Sequence, residues 1–192
     1  DWVNWRPLRK HWAHGSPSRS DDGIGPRIRT TQEIVDTLTV GSRRDTNHCI
    51  PVAGDLQLPL ADLPLDPWIL GYWLGNGTAL SGQLTTHGCD YQHVSDHLAR
   101  ERYSHRVTMD LEKKNCATFS VKNLASRLRA LGLLGNKHVP HEYLWASAEQ
   151  RRALLAGLMD SDGYGEKSKA EFSSSLPHLA DAVMHLTRSL GQ

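Results

Sequence analysis

One pattern occurs twice in this chain and limits what it can fold into. Asp66-Pro-Trp-Ile-Leu-Gly-Tyr-Trp-Leu-Gly-Asn-Gly-Thr78 comes first, and Leu154-Leu-Ala-Gly-Leu-Met-Asp-Ser-Asp-Gly163 second. Each is an apolar helical stretch that stops at an Asx-Gly pair. Asp66 is placed to cap the first helix, with Pro67 at its first position, where the missing N–H costs nothing. Ser147 and Gln150 have capping-box spacing for the second. Gly77 and Gly163 stand where helix-stopping glycines stand. Small residues recur four apart on one face: Gly71 and Gly75, then Ala153 and Gly157. Such a stripe lets another helix backbone approach closely. Two helices paired along these stripes bring Asn76 and Asp162 together, at the partly negative carbonyl ends of both. A carboxylate beside free carbonyl oxygens suits a hard divalent cation such as Mg²⁺. Spacing alone is equally met by two buried helices with glycine stops.

The rest of the composition sets bounds. A chain of 192 residues holds one substantial core or two small ones. The net charge of +1 gives no global steering, so a nucleic-acid-binding surface has to gather its basic residues on one face. Cys49, Cys89 and Cys116 are odd in number and far apart, which fits reduced thiols in a cytoplasmic protein. No apolar run approaches the ~20 residues a membrane span needs, so no membrane partner is expected. The chain opens Asp1-Trp-Val-Asn, with no signal-peptide pattern and no initiator methionine, and is expected to be a piece of a longer polypeptide.

Two regions follow from the order of patterns. Residues 1–46 read as a basic, aromatic arm and linker. Trp2, Trp5 and Trp12 are interleaved with Arg6, Arg9 and Lys10, followed by a Gly/Ser/Pro-rich stretch and a short helix capped by Thr30 and Glu33. Its tryptophans can pack on a neighbouring domain or stack on bases. Residues 47–192 hold the two signatures, with a first half at about 66–146 and a second at about 147–192. In the first half, Gln83, Thr85 and His87 alternate with Leu84 and Thr86 as a strand. A helix over 90–102, a hairpin of 105–111 and 117–121, and a helix over 124–134 follow. After Asp162 there is room for one hairpin, 163–172, and one helix, 175–190, so the second half is expected to be incomplete. His93 and His97 have helical spacing, but no His-Glu-x-x-His or Cys-x-x-Cys accompanies them, and structural zinc is not expected.

Leu-Leu-Ala-Gly-Leu-Met-Asp-Ser-Asp-Gly resembles the LAGLIDADG signature almost letter for letter, and Leu70-Gly-Tyr-Trp-Leu-Gly-Asn-Gly-Thr78 resembles the first copy found in intein-borne homing endonucleases. Between them, Gly135-Asn-Lys-His-Val-Pro140 resembles the Asn-Lys-x-Ile-Pro block of the same proteins. The resemblance implies an α/β fold of two pseudo-symmetric halves, whose signature helices pair and whose antiparallel sheets form a saddle on double-stranded DNA. It implies metal-dependent phosphodiester hydrolysis by a monomeric pseudo-dimer embedded in a host protein. Asp162 and Asn76 become the candidate metal and catalytic positions, with Mg²⁺ as the ion, and Lys137 the residue that positions water and stabilises phosphate charge. The candidate DNA-reading residues are Gln83, Thr85, His87, His105, Arg106, Thr108, Lys113, Lys114, Thr118, Ser120, Lys167, Lys169 and Ser173. Asn76 departs from the family's aspartate. One competent site is expected to nick or to cut poorly, and Asn76→Asp to restore the second cut. The alternative is a self-splicing intein whose endonuclease domain only binds DNA. The splicing ends are not in this chain, which begins at Asp1 and ends at Gly191-Gln192.

Overall fold

The computed structural model describes residues 2–4, 27–48, 53–110, 115–167 and 169–192. Trp5, Arg6, Arg9, Lys10, Trp12, Cys49, Lys113 and Lys114 lie outside the described residues. The chain divides into two compact units, Asp1–Ala53 and Gly54–Gln192. In the first, β1 (Trp2–Asn4) pairs antiparallel with β2 (Arg27–Arg29), and β3 (Thr39–Val40) with β4 (Asp45–Thr46). Helix α1 (Thr31–Asp36) starts with a capping box: the Thr30 side chain accepts from the Glu33 N–H and the Glu33 carboxylate from the Thr30 N–H.

The second unit is built round α2 (Pro67–Asn76). Asp66 Oδ1 accepts from the Ile69 N–H at 2.9 Å, which satisfies one of the donors a helix start leaves orphaned. Trp68, Ile69, Leu70, Gly71, Tyr72, Trp73 and Leu74 are all buried, so α2 has no solvent face. A helix apolar all round has to be covered on every side. Strand β5 (Gln83–His87), helix α3 (Tyr91–Arg100), strands β6 (His105–Asp110) and β7 (Cys116–Val121) and helix α4 (Leu124–Ala130) cover one side. The strands form an antiparallel sheet in the order β5-β7-β6, sending Leu84, Ala117 and Phe119 into the core. The short α5 (His141–Leu144), α6 (Ala148–Asp162) and α7 (Pro177–Ser189) cover the other, contributing Tyr143, Leu154, Leu158, Leu179 and Leu186. Each such side chain stabilises by roughly 1.5–3 kcal/mol through its burial. Strands β8 (Gly163–Glu166) and β9 (Lys169–Phe172) form an antiparallel hairpin after α6. The fold is mixed α/β with antiparallel sheets, the class implied by the sequence.

Helices α2 and α6 meet at backbone distance. A Cβ on Gly71 would lie 2.3 Å from the Leu154 carbonyl oxygen, and one on Gly157 2.1 Å from that of Trp68. At Gly75 the obstacle is the Ser161 side chain, Oγ at 2.1 Å and Cβ at 2.6 Å. The α6 atoms nearest the α2 glycines belong to Leu154, Gly157, Leu158, Ser161 and Asp162. Ala153 is not among them and is only half-buried.

The glycines that close these helices stand where the sequence places helix stops, with extended backbone. Gly77 has φ −85° and Gly163 φ −90°, both extended. They are small because the chain folds back on the last turn: a Cβ at Gly77 would meet the Trp73 ring at 2.2 Å, and one at Gly163 the Met159 carbonyl at 2.5 Å.

Candidate active site

The pairing of α2 and α6 sets their C-terminal ends side by side. Asn76 Nδ2 donates to the Ser161 carbonyl at 3.3 Å. A Cβ on Gly75 would be 3.1 Å from the Asp162 carboxyl carbon. Asp162 closes α6 and opens onto a cavity of about 540 Å³, also lined by Gly75, Ala79, Lys137 and Ser173.

Lys137 reaches the same cavity from a loop clamped on both flanks. The Gly135 N–H donates to the Ala79 carbonyl at 2.8 Å, and the His178 ring lies 2.6 Å from the Lys137 carbonyl. Gly135 has φ +75°, the left-handed backbone that favours glycine. The ammonium donates to the carbonyls of Gly75 at 3.1 Å and Gly77 at 2.7 Å, and sits 5.1 Å from the Trp73 ring centroid. Burial pushes the Lys137 ammonium below its ordinary value, and the Asp162 charge pulls it back. Burial pushes the Asp162 carboxyl up, and Lys137 pulls it down. Two groups whose ionisation each supports the other's, held in one cavity, are an arrangement typical of functional sites.

Asp162 fits a hard divalent cation: it offers an accessible carboxylate beside the carbonyl-rich ends of two helices. Asn76 fits one poorly. Its amide brings no negative charge, and the carbonyls on either side of it, Gly75 and Gly77, already accept from an ammonium. The other acid of the second signature, Asp160, is two residues and therefore about half a turn away. It accepts from Trp68 Nε1 at 2.8 Å and lies 3.0 Å from His93 Nε2, tying α6 to α2 and α3. Sequence reasoning passed over Asp160, although helical phase already separates it from Asp162. His93 and His97 both lie against Trp68, their ring centroids 5.6 and 3.8 Å from its own, and face different carboxylates, Asp160 and Asp66.

The outer face of the three-stranded sheet follows from register. Gln83 pairs with Ser120 and Ser120 with Arg106; Thr85 pairs with Thr118 and Thr118 with Thr108. Because side chains alternate, these six share one polar face. His87 continues it, and its Nδ1 lies 2.7 Å from Cys89 Sγ. His105 is a correction. It pairs with Val121 and has the parity of Val107, so it belongs to the opposite, core-facing side, where its ring packs 5.5 Å from Phe119. Lys167 occupies the β8–β9 turn with φ +51°, and Lys169 is exposed on β9. Tyr164 pairs with Glu171 and Glu166 with Lys169, so glutamates share the Lys169 face. Ser173 lies beyond the hairpin and lines the Asp162 cavity, away from the sheet face. Sequence reasoning also missed a basic border. Arg102, Lys122 and Arg127 line a recess of about 270 Å³, and Lys122 with Arg106 lines a larger one of about 680 Å³ at the end of the polar face.

Residues 138–192 match the family model of the homing endonuclease. The chain is 39% identical over 166 residues, 85% of its length, to the replicative DNA helicase DnaB of Mycobacterium intracellulare. It is 26% identical over 159 residues, 65% of its length, to the homothallic switching endonuclease of Saccharomyces cerevisiae. It spans about a quarter of each of these proteins, 26% and 27%.

Proposed function

We propose that this chain, which carries a homing endonuclease domain, is the site-specific DNA-cutting part of an intein. The observation that supports cutting is the convergence of Asp162 and Lys137 on one cavity where two helices end. A divalent metal at Asp162, Mg²⁺ by the oxygen-rich donor set, would supply Lewis-acid activation of water for attack on a phosphodiester. Asp162 would hold and orient the cation. Lys137, immobilised by two carbonyls and the Trp73 ring, would present a fixed positive charge to the phosphate without reorganising during the reaction. The outer face with Gln83, Thr85, Arg106, Thr108, Thr118 and Ser120 would meet base edges in the major groove. Because one chain supplies both signature helices, it would act as a monomer.

The intein context is supported by a mismatch of names. The same stretch resembles an endonuclease and about a quarter of a replicative helicase. An endonuclease element inserted in a host protein reconciles the two. The test is a supercoiled plasmid carrying an uninterrupted helicase gene, incubated with the chain and Mg²⁺. Nicked or linear product is expected, falling at least about 100-fold in rate in Asp162→Asn, by analogy with the loss of one electrostatic contributor. Cleavage at an unchanged rate in that variant would remove Asp162 from the chemistry. Binding without cleavage would favour the DNA-binding module.

A further inference from the structure

We infer that the Lys137 ammonium is a resident cation at the end of α2, so that the paired helix ends take one divalent ion, at Asp162, instead of two. The inference rests on the Asp162 metal reading above and concerns the other helix.

Three observations carry it. The Lys137 ammonium donates to the carbonyl oxygens on both sides of Asn76, those of Gly75 at 3.1 Å and Gly77 at 2.7 Å. These are the main-chain oxygens a cation at this helix end would seek, and a monovalent point charge already occupies them. Asn76 brings no negative charge, so its amide oxygen alone offers a doubly charged ion little at this end. The loop cannot easily release the ammonium: Ala79 holds the loop at Gly135 and His178 at the Lys137 carbonyl, while Trp73 lies along the ammonium's flank.

Asymmetry at residue 76 then has a partner elsewhere in the chain. An amide at position 76 and an ammonium on the neighbouring carbonyls replace a carboxylate and a divalent ion, and the two pairs carry the same net charge, one positive unit. Asn76→Asp alone would create a carboxylate beside Lys137, and the two would pair. The second ion needs the ammonium removed as well.

The experiment counts bound Mn²⁺ by electron paramagnetic resonance in the full chain, with thermal melting as the check on folding. Asp162→Asn should lose one bound ion relative to the unmodified chain. Asn76→Asp alone should bind the unmodified number. Asn76→Asp combined with Lys137→Met, which keeps the methylene stem against Trp73, should bind one more. Asn76→Asp combined with Lys137→Arg should return to the unmodified number, because the cation is back. Binding unchanged by Asp162→Asn would overturn the metal reading and the inference with it. A loss in Asp162→Asn, together with an extra ion in Asn76→Asp alone or none in the Lys137→Met double variant, would overturn the resident cation while leaving the Asp162 site intact.

Discussion

Glu33 shows how much one side chain is bound to its neighbour's backbone. Its carboxylate accepts from the Thr30 N–H at 2.8 Å, which holds its pKa below the ordinary glutamate value. An acid with a depressed folded pKa contributes stability that is present above the unfolded pKa and is lost as pH falls through the folded one. The start of α1 should therefore fray only below the usual glutamate range. In two-dimensional NMR, the Thr30 amide is expected to shift at a pH below that range, and Glu33→Gln to remove the step. A Thr30 titration at the ordinary glutamate value would mean that the capping bond does not persist in solution. Arg151 is a contrasting case. It is fully buried, yet its partners are neutral: the carbonyls of Ala146, Ser189 and Leu56 and the Ser189 hydroxyl. It knits the start of α6 to the end of α7, and no motif marked it in advance.

At the scale of elements, the α2–α6 seam divides its glycines by what they face. Gly71 and Gly157 face main-chain atoms, which cannot move without parting the helices. Gly75 faces the Ser161 side chain, whose Oγ can rotate away but whose Cβ, 2.6 Å from the added carbon, cannot. Gly→Ala gains up to about 1 kcal/mol of helix propensity at each site, while overpacking costs about 1–3 kcal/mol and occasionally more. Gly71→Ala and Gly157→Ala are therefore expected to destabilise by about 2 kcal/mol net, lowering Tm by about 4–8 °C in a chain of this size. Gly75→Ala should destabilise too and be rescued in part by Ser161→Gly, which removes the opposing Cβ. Unchanged melting in Gly71→Ala and Gly157→Ala, or no rescue of Gly75→Ala by Ser161→Gly, read by calorimetry, would contradict the seam. The helices were legible because both starts carry local chemistry, the Asp66 cap and the Ser147–Gln150 box, and strand 83–87 because Gln83, Thr85 and His87 alternate with Leu84 and Thr86. The direction in which residues face was less legible. His105 opens its strand, and one step of register decides between groove and core. The glycine stops were legible, but not the reason they are small, because burial of the last turn is invisible in local sequence. The destination of Lys137 on Gly75 and Gly77 depends on a loop tethered by α7, a contact across a long stretch of chain.

For the whole molecule, the question is how a chain of net charge +1 would hold DNA. Binding to a duplex draws its salt dependence from phosphates neutralised locally, so overall charge is a poor guide. Four of the described basic residues stand where this requires. Arg102, Lys122 and Arg127 border one edge of the polar sheet face, and Arg106 rises from the face itself. Arg127 is partly committed, donating to the Pro64 carbonyl and the Tyr103 hydroxyl, which leaves Arg102 and Lys122 the freer pair for phosphates. Lys122→Ala and Arg102→Ala are each expected to weaken binding to every sequence alike and to lower the slope of log affinity against log salt by about one. Gln83→Ala and Thr108→Ala should leave that slope alone and relax discrimination at single base positions, by about 1–3 kcal/mol where the lost contact is bidentate. Fluorescence anisotropy with a specific and a scrambled duplex, across a salt series, separates the two behaviours. If the Lys122 and Arg102 variants keep the original slope while Gln83 or Thr108 variants change it, the basic border is not the phosphate contact and the sheet face is not the reading surface. An affinity that ignores salt altogether would remove duplex DNA as the partner, because no protein can neutralise phosphates without releasing the ions around them.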